Sequence, residues 1–111
     1  IRTSTGRTIL NRGEIWWADM DPKPRPVVLI SRQSHLHSRD NLMVAQVTRR
    51  TRGLLSEVPL GPQDGLRMPC VADAGTLHSV EKSQLIRRVA ALSGPKLEAL
   101  DAALRFALGL D

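Results

Sequence analysis

A short proline-rich segment that runs directly into an apolar strand constrains this chain more than any other feature. Pro24 and Pro26 fix φ on either side of Arg25, and each favours extended geometry in the residue before it. Residues 27–30 are all apolar β-formers, which predicts a strand buried on both faces at the centre of the domain. Arg25 therefore leaves a stiff backbone. A cation held in this way suits a phosphate, because little ordering entropy is lost on binding.

Basic residues are concentrated around this strand. Residues 23–52 contain seven Lys or Arg and one acidic residue, whereas the whole chain has 16 basic and 11 acidic residues. The local excess predicts attraction to a polyanion such as nucleic acid. A solvated face that only keeps the protein soluble is an equally good interpretation of the charge alone.

Other strands are predicted on both sides of this segment. Residues 12–19 predict an opening strand with Trp16 on one face and Trp17 on the other, so that one indole packs and the other offers a stacking surface for a base. After a polar loop at 33–41, residues 42–48 predict a strand that ends at Thr48. Beyond it we expect an edge strand at 54–60, short strands at 69–72 and 76–80, a short helix at 79–86 and a last strand at 88–92.

The chain closes with a predicted amphipathic helix. Ser93 is a candidate N-cap, Pro95 is tolerated in the first turn, and Gly109 ends the helix. Ala102 and Phe106 lie off the apolar stripe, which indicates a second contact such as a dimer partner. The stripe itself, which we expect to dock on the sheet, consists of Leu97, Leu100, Leu104, Ala107 and Leu108.

The length of 111 residues fits one domain, which we place at residues 12–111 after a polar tail, residues 1–11, whose composition allows disorder. The single cysteine, Cys70, and the absence of a long apolar run predict a protein of the reducing cytoplasm without a membrane span. No metal site is expected, because the histidines at 35, 37 and 78 and Cys70 lack zinc-ligand spacing.

The second and third strands place two polar groups together if they pair antiparallel. The start of one strand then lies beside the end of the other, so Arg25 and Thr48 share one rim of the sheet. Arg49, Arg50 and Arg52 follow at the same rim. These groups supply charge-assisted donors for one or two phosphates.

Taken in order, these segments resemble the MazF/PemK family of toxin endoribonucleases. The resemblance covers residues 12–110 and is carried by the opening strand at 12–19, the arginine–proline strand at 25–30, the strand at 44–48 that ends in threonine, and the closing helix at 100–110. It implies an α+β, mainly β fold, an SH3-like antiparallel barrel of the MazF, CcdB and Kid type with a C-terminal helix, assembled as a homodimer. The loop at 20–24 is shorter than the glycine- and glutamate-bearing segment of many members.

The family's catalytic pair maps onto Arg25 and Thr48. The resemblance implies a toxin of a toxin–antitoxin pair that cleaves single-stranded mRNA at a preferred sequence, without metal or cofactor, to 2′,3′-cyclic phosphate and 5′-hydroxyl ends. It also implies a MazE-like antitoxin that occupies the RNA groove. The residues that we assign to RNA binding are Trp17, Asp19, Lys23, Arg32, His35, Arg49 and Arg50.

The chemistry expected at such a site leaves some roles open. A guanidinium stays protonated in proteins, so we expect Arg25 to stabilise the transition state and not to act as the base. His35 and His37 are candidates for the group that takes the 2′ proton, with simple solvation as the alternative. A non-catalytic gyrase inhibitor on the same fold, and a basic module that binds nucleic acid without cutting it, are the alternative functions.

Overall fold

A computed structural model describes residues 9–110 of the chain, so the greater part of the predicted tail lies outside the described residues. The described chain contains six strands and two helices, and short 3-10 turns lie at Pro62–Asp64 and Lys82–Gln84. The elements are β1 (Glu14–Ala18), β2 (Arg25–Leu29), α1 (Gln33–Ser38), β3 (Asn41–Thr48), β4 (Glu57–Leu60), β5 (Cys70–Glu81), β6 (Leu85–Ala91) and α2 (Gly94–Leu108).

The strands form one antiparallel sheet in the order β4-β5-β3-β2-β1-β6. This sheet is open between its two edge strands, but it curls like a barrel. The turn after β4 lies against β6, because a Cβ placed on Gly65 would be 2.9 Å from the Cβ of Ala90. Gly65 also has φ of 89°, which other residues rarely adopt. The mainly-β fold with a C-terminal helix is confirmed.

Apolar side chains pack on both faces of the sheet. Val28 belongs to the cluster on the inner face, together with Ile15, Val47 and neighbouring residues. Helix α2 covers this cluster. Val27 and Leu29 belong to the cluster on the outer face, which Leu36 of α1 covers. All three β2 residues are 0% exposed, which confirms that this strand is buried on both faces at the centre of the domain.

Helix α2 begins and ends where its sequence predicts. The Ser93 hydroxyl accepts a hydrogen bond from the Lys96 N–H at 3.3 Å, and Gly109 adopts the left-handed conformation at the C-cap. Leu100, Ala103 and Leu104 are buried against the sheet. Leu108 of the predicted stripe is 54% exposed, so only the first part of the stripe packs. In residues 9–110, neither helix is long and apolar enough to cross a bilayer.

Three predictions differ from the structure. The polar loop after β2 contains the short helix α1, whose Leu36 is 1% exposed. Of the helix predicted at 79–86, only the 3-10 turn at Lys82–Gln84 forms, because β5 continues to Glu81 and pairs there with Asn41 of β3. The two short strands predicted before it are one strand with an irregularity opposite Ala45 and Gln46. Cross-strand pairing therefore overrides the local helix signal.

The buried carboxylate of Glu14 links β1 to its neighbour, the edge strand β6. Glu14 is 5% exposed, and its Oε1 accepts hydrogen bonds from the Trp16 indole N–H at 3.1 Å and the Asn11 N–H at 3.0 Å. Its Oε2 accepts from Arg88 of β6 at 3.0 Å. Leu10, the residue before Asn11, is 1% exposed and packs in the outer cluster. The carboxylate thus satisfies the indole N–H of Trp16, which is only 3% exposed.

Candidate active site

The pairing of β2 with β3 places Arg25 across from Thr48. Val27 lies opposite Gln46 and Val28 opposite Ala45, so the predicted antiparallel pairing is confirmed. Continued by two residues, the same register sets Arg25 opposite Thr48. Since side chains alternate along a strand, both point to the outer face, as Val27 does. Directly opposed residues have Cβ atoms about 4.5–5.5 Å apart.

Both side chains are half-buried and have free donors. Within residues 9–110, no carboxylate forms a salt bridge with Arg25 and no hydrogen bond involves its guanidinium. The Thr48 hydroxyl oxygen accepts a hydrogen bond from the Arg50 N–H at 3.2 Å, which leaves the O–H to donate. The pair can therefore offer a planar guanidinium fork and a hydroxyl to one anionic group.

Three further polar side chains lie beside this pair on the outer face, and the sequence reasoning missed them. Gln46 is two residues before Thr48, and Asp73 is its partner on β5. His78 Nε2 lies 2.9 Å from Gln46 Oε1. The alternation of β3 already sets Gln46 on the same face as Thr48. Nothing in the local sequence shows the register shift between Leu77 and Asp73, which sets Asp73 opposite Gln46. His78 lies opposite Val44, diagonal to Gln46, and this long-range pairing brings the two side chains together.

The loop after β3 carries Arg49, Arg50 and Arg52, all of them exposed. Arg49 Nη1 donates to the Met68 sulfur at 3.2 Å. The carboxylate of Glu57 holds the loop, because it accepts from the Arg52 N–H at 3.0 Å and from the Leu54 N–H at 3.3 Å. This loop begins directly at Thr48, so its charges lie next to the pair.

Glu57→Ala is expected to release the arginine loop and to lower the free energy of unfolding by about 1–2 kcal/mol, because two backbone N–H groups lose a charged acceptor. Hydrogen exchange of the Arg52 and Leu54 amides should accelerate, and urea unfolding should report the loss of stability. Glu98→Ala, at an exposed position on α2, is the control. Unchanged exchange at both amides would show that Glu57 does not hold the loop.

The other residues assigned to RNA binding divide into two groups by position. Asp19 and Lys23 are exposed in the turn that connects β1 with β2, at the end of the sheet where Arg25 lies. Arg32 and His35 lie beyond the other end of β2, at least about 13 Å from Arg25 along the strand. The structure therefore does not bring this second group, or the neighbouring His37, to Arg25.

The two tryptophans take different faces, as predicted. Trp16 is 3% exposed in the outer cluster. Trp17 is half-buried on the inner face, opposite Pro26, and the guanidinium carbon of Arg87 lies 6.0 Å from the centre of its ring. The Trp17 indole is therefore on the face opposite to Arg25 and Thr48.

Cys70 packs in the inner cluster at 7% exposure. Burial, with a smaller contribution from the negative charge of Asp64, raises the pKa of its thiol. The thiol is therefore protonated at neutral pH, which disfavours a nucleophilic role. Packing is the role that the surroundings of Cys70 support.

Known proteins share both the sequence and the fold of this chain. Residues 11–108 match the family model of the PemK-like, MazF-like toxin of type II toxin–antitoxin systems. A probable endoribonuclease, MazF5 of Mycobacterium tuberculosis, is 33% identical over 99 residues, which cover 87% of this chain and 91% of the relative.

Two solved structures extend the comparison. The Mycobacterium tuberculosis toxin MazF-mt6 has a TM-score of 0.83 and 32% identity, with 88% of this chain and 98% of that chain covered. A mycobacterial endoribonuclease in complex with its cognate antitoxin has a TM-score of 0.84 at 22% identity, covers 92% and 97% of the two chains, and supports the fold alone. With a family match over residues 11–108 and relatives of this similarity, the chain belongs to the PemK-like, MazF-like family of type II toxins.

Proposed function

We propose that this chain is an endoribonuclease toxin that cuts single-stranded RNA in the cytoplasm, with Arg25 and Thr48 as its catalytic pair. The observation that carries the proposal is the β2–β3 register, which sets Val27 opposite Gln46 and, continued by two residues, would oppose Arg25 and Thr48 on the outer face. The guanidinium has no acidic partner in residues 9–110, so it is available to a phosphate. Membership in a family with endoribonuclease relatives supports the same activity.

In the proposed reaction the ribose 2′ oxygen attacks the adjacent phosphorus. A bond forms between phosphorus and the 2′ oxygen, the bond to the 5′ oxygen breaks, one proton leaves the 2′ hydroxyl and one joins the departing oxygen. The products are a 2′,3′-cyclic phosphate and a 5′-hydroxyl. Negative charge builds on the non-bridging oxygens, where Arg25 donates two parallel hydrogen bonds and Thr48 donates one. Because the substrate supplies its own nucleophile, the proposed step requires no metal.

Flanking RNA phosphates would bind next to the pair. Arg49 and Arg50 leave the strand directly after Thr48, and Lys23 lies in the turn before Arg25. Each such contact strengthens binding without base selectivity, and it weakens as salt increases. Arg32, at the far end of β2, would reach only a more distant part of the same strand, and the roles of Asp19, His35 and Trp17 in RNA binding stay predictions.

A cognate antitoxin of the MazE type is the proposed inhibitory partner, and the active form is proposed to be a homodimer. Membership in a family of toxins of type II toxin–antitoxin systems supports this assignment. An antitoxin that occupies the RNA groove would silence the enzyme by competition. Its binding and RNA cleavage should then be mutually exclusive.

The activity is tested by incubating the purified protein with mixed single-stranded RNA in the presence of EDTA. We expect fragments with 2′,3′-cyclic phosphate and 5′-hydroxyl ends, identified by mass spectrometry. RNA that is retained but uncut would instead indicate a binding module. If the RNA is neither retained nor cut, the result would contradict the proposal and favour the gyrase-inhibitor alternative. For that function, Phe106 and Leu108 of α2, which are 50% and 54% exposed, offer an apolar contact.

A further inference from the structure

We propose that Gln46 and His78 form a base-reading pair that selects the nucleotide next to the cleaved phosphate. This inference rests on the proposed ribonuclease activity and deepens it, because it names the residues that would give the enzyme its sequence preference. The pair was absent from the residues that sequence reasoning assigned to RNA binding. The position of the pair, its free hydrogen-bonding atoms and the uncharged amide of Gln46 support this assignment.

The position of Gln46 suits a neighbour of the scissile phosphate. It lies on the same strand and the same face as Thr48, two residues away, so the two Cα atoms are separated by about 7 Å. This separation is comparable with the step from one phosphate to the next along an extended RNA strand. If Arg25 and Thr48 hold one phosphate, Gln46 faces the adjoining nucleotide.

The hydrogen bond between the two side chains leaves a donor beside an acceptor. Gln46 Oε1 lies 2.9 Å from His78 Nε2. The histidine tautomer with its hydrogen on Nε2 donates to this oxygen and keeps an acceptor on Nδ1. The Gln46 amide group retains two N–H donors. Among the described residues, no fully buried side-chain nitrogen or oxygen lacks a partner, so these free atoms reach solvent.

A donor beside an acceptor matches the edge of a nucleobase and not a phosphate. Base edges present donors next to acceptors, whereas a phosphate presents only acceptors. The Gln46 amide adds no formal charge, in contrast to the arginines of the adjacent loop. The nearby Asp73 carboxylate accepts from the Gly75 N–H at 2.8 Å and the Thr76 hydroxyl at 2.9 Å, and within residues 9–110 it forms no hydrogen bond with the Gln46 amide.

The geometry favours recognition over proton transfer. His78 lies opposite Val44, four residues before Thr48, which is about 13 Å along β3. A general base must lie within hydrogen-bonding reach of the proton that it takes. The imidazole is instead held against Gln46, where it fixes the amide for binding.

The test compares variants on a random-sequence RNA pool, with sequencing of the 5′-hydroxyl ends. Wild-type protein should show a preferred base at the nucleotide next to the cut. Gln46→Leu, which keeps the side-chain size but cannot hydrogen-bond, should lose about 10–100-fold of the discrimination at that one position. Gln46→Glu, which exchanges a donor for an acceptor but can still accept from His78, should shift the preferred base.

Matched variants separate this role from the others. Gln63→Leu, the same substitution at an exposed glutamine outside the pair, should leave the preference intact. An unchanged preference in both folded Gln46 variants, checked by circular dichroism, would overturn the inference while leaving the ribonuclease activity established. An equal loss of rate at every sequence would also overturn it, because that result indicates catalysis. A wild-type protein that cuts no RNA would remove the proposed function, and the inference with it.

Discussion

Arg25→Ala is expected to reduce RNA cleavage by about 10²–10³-fold, the loss that follows removal of one donor from a developing oxyanion. The reason is that Arg25 is the only group of the proposed pair that can give two parallel hydrogen bonds to the phosphate. Single-turnover cleavage of a short RNA containing the preferred sequence measures the effect. Arg25→Lys should recover only part of the rate, because an ammonium keeps the charge but loses the planar fork.

Folding and charge are controlled separately in this experiment. Arg39→Ala removes the same charge from an exposed position at the C-cap of α1 and should leave cleavage nearly unchanged. Arg25→Ala should also unfold at nearly the wild-type urea concentration, since the Arg25 guanidinium forms no salt bridge within residues 9–110. A folded Arg25→Ala protein with full activity would exclude Arg25 from the catalytic pair.

Glu14→Ala is expected to lower the free energy of unfolding by about 3 kcal/mol, which makes it the largest stability loss that we predict. The substitution leaves the nearly buried Trp16 indole N–H without an acceptor and removes the partner of Arg88. A small domain is stable by only about 5–15 kcal/mol, so the loss is a large fraction of the total. Urea unfolding at a fixed protein concentration measures it.

Glu14→Gln separates size from charge at this position. The amide oxygen can still accept from Trp16 and Asn11, but the amide nitrogen cannot accept from Arg88. We therefore expect a loss of about 1 kcal/mol for the Gln variant. A Glu14→Ala protein as stable as the wild type would show that the carboxylate does not hold β1 to β6.

Much of the site was predictable because it depends on local pattern and on one pairing. The proline-flanked Arg25 and the strand that ends at Thr48 are visible in the sequence, and antiparallel pairing of neighbouring strands is the simplest way to connect them. The register that sets them opposite each other agrees with this expectation. Their catalytic roles stay predictions until cleavage is measured.

Other parts of the site depend on contacts between residues far apart in the chain. The Gln46–His78 hydrogen bond spans 32 positions, and it forms because β5 pairs with β3 so that His78 lies opposite Val44, diagonal to Gln46. The same pairing extends β5 to Glu81, so only a 3-10 turn at Lys82–Gln84 forms within the helix predicted at 79–86. Glu14 likewise appears as one polar residue before two tryptophans, and its partner Arg88 lies 74 positions away.

The sequence by itself determined the toxin family, the central strand buried on both faces, the caps of α2 and the arginine at the start of β2. The family was identified by resemblance, from the order and spacing of four motifs. The other three features follow from backbone restriction by proline, from the spacing of apolar residues and from capping groups, all of which act over a few residues. Only the tertiary structure decided which polar side chains share the outer face with Arg25 and Thr48, and that Trp17 does not. Strand register makes those choices, and it arises from cross-strand pairing over long sequence separations.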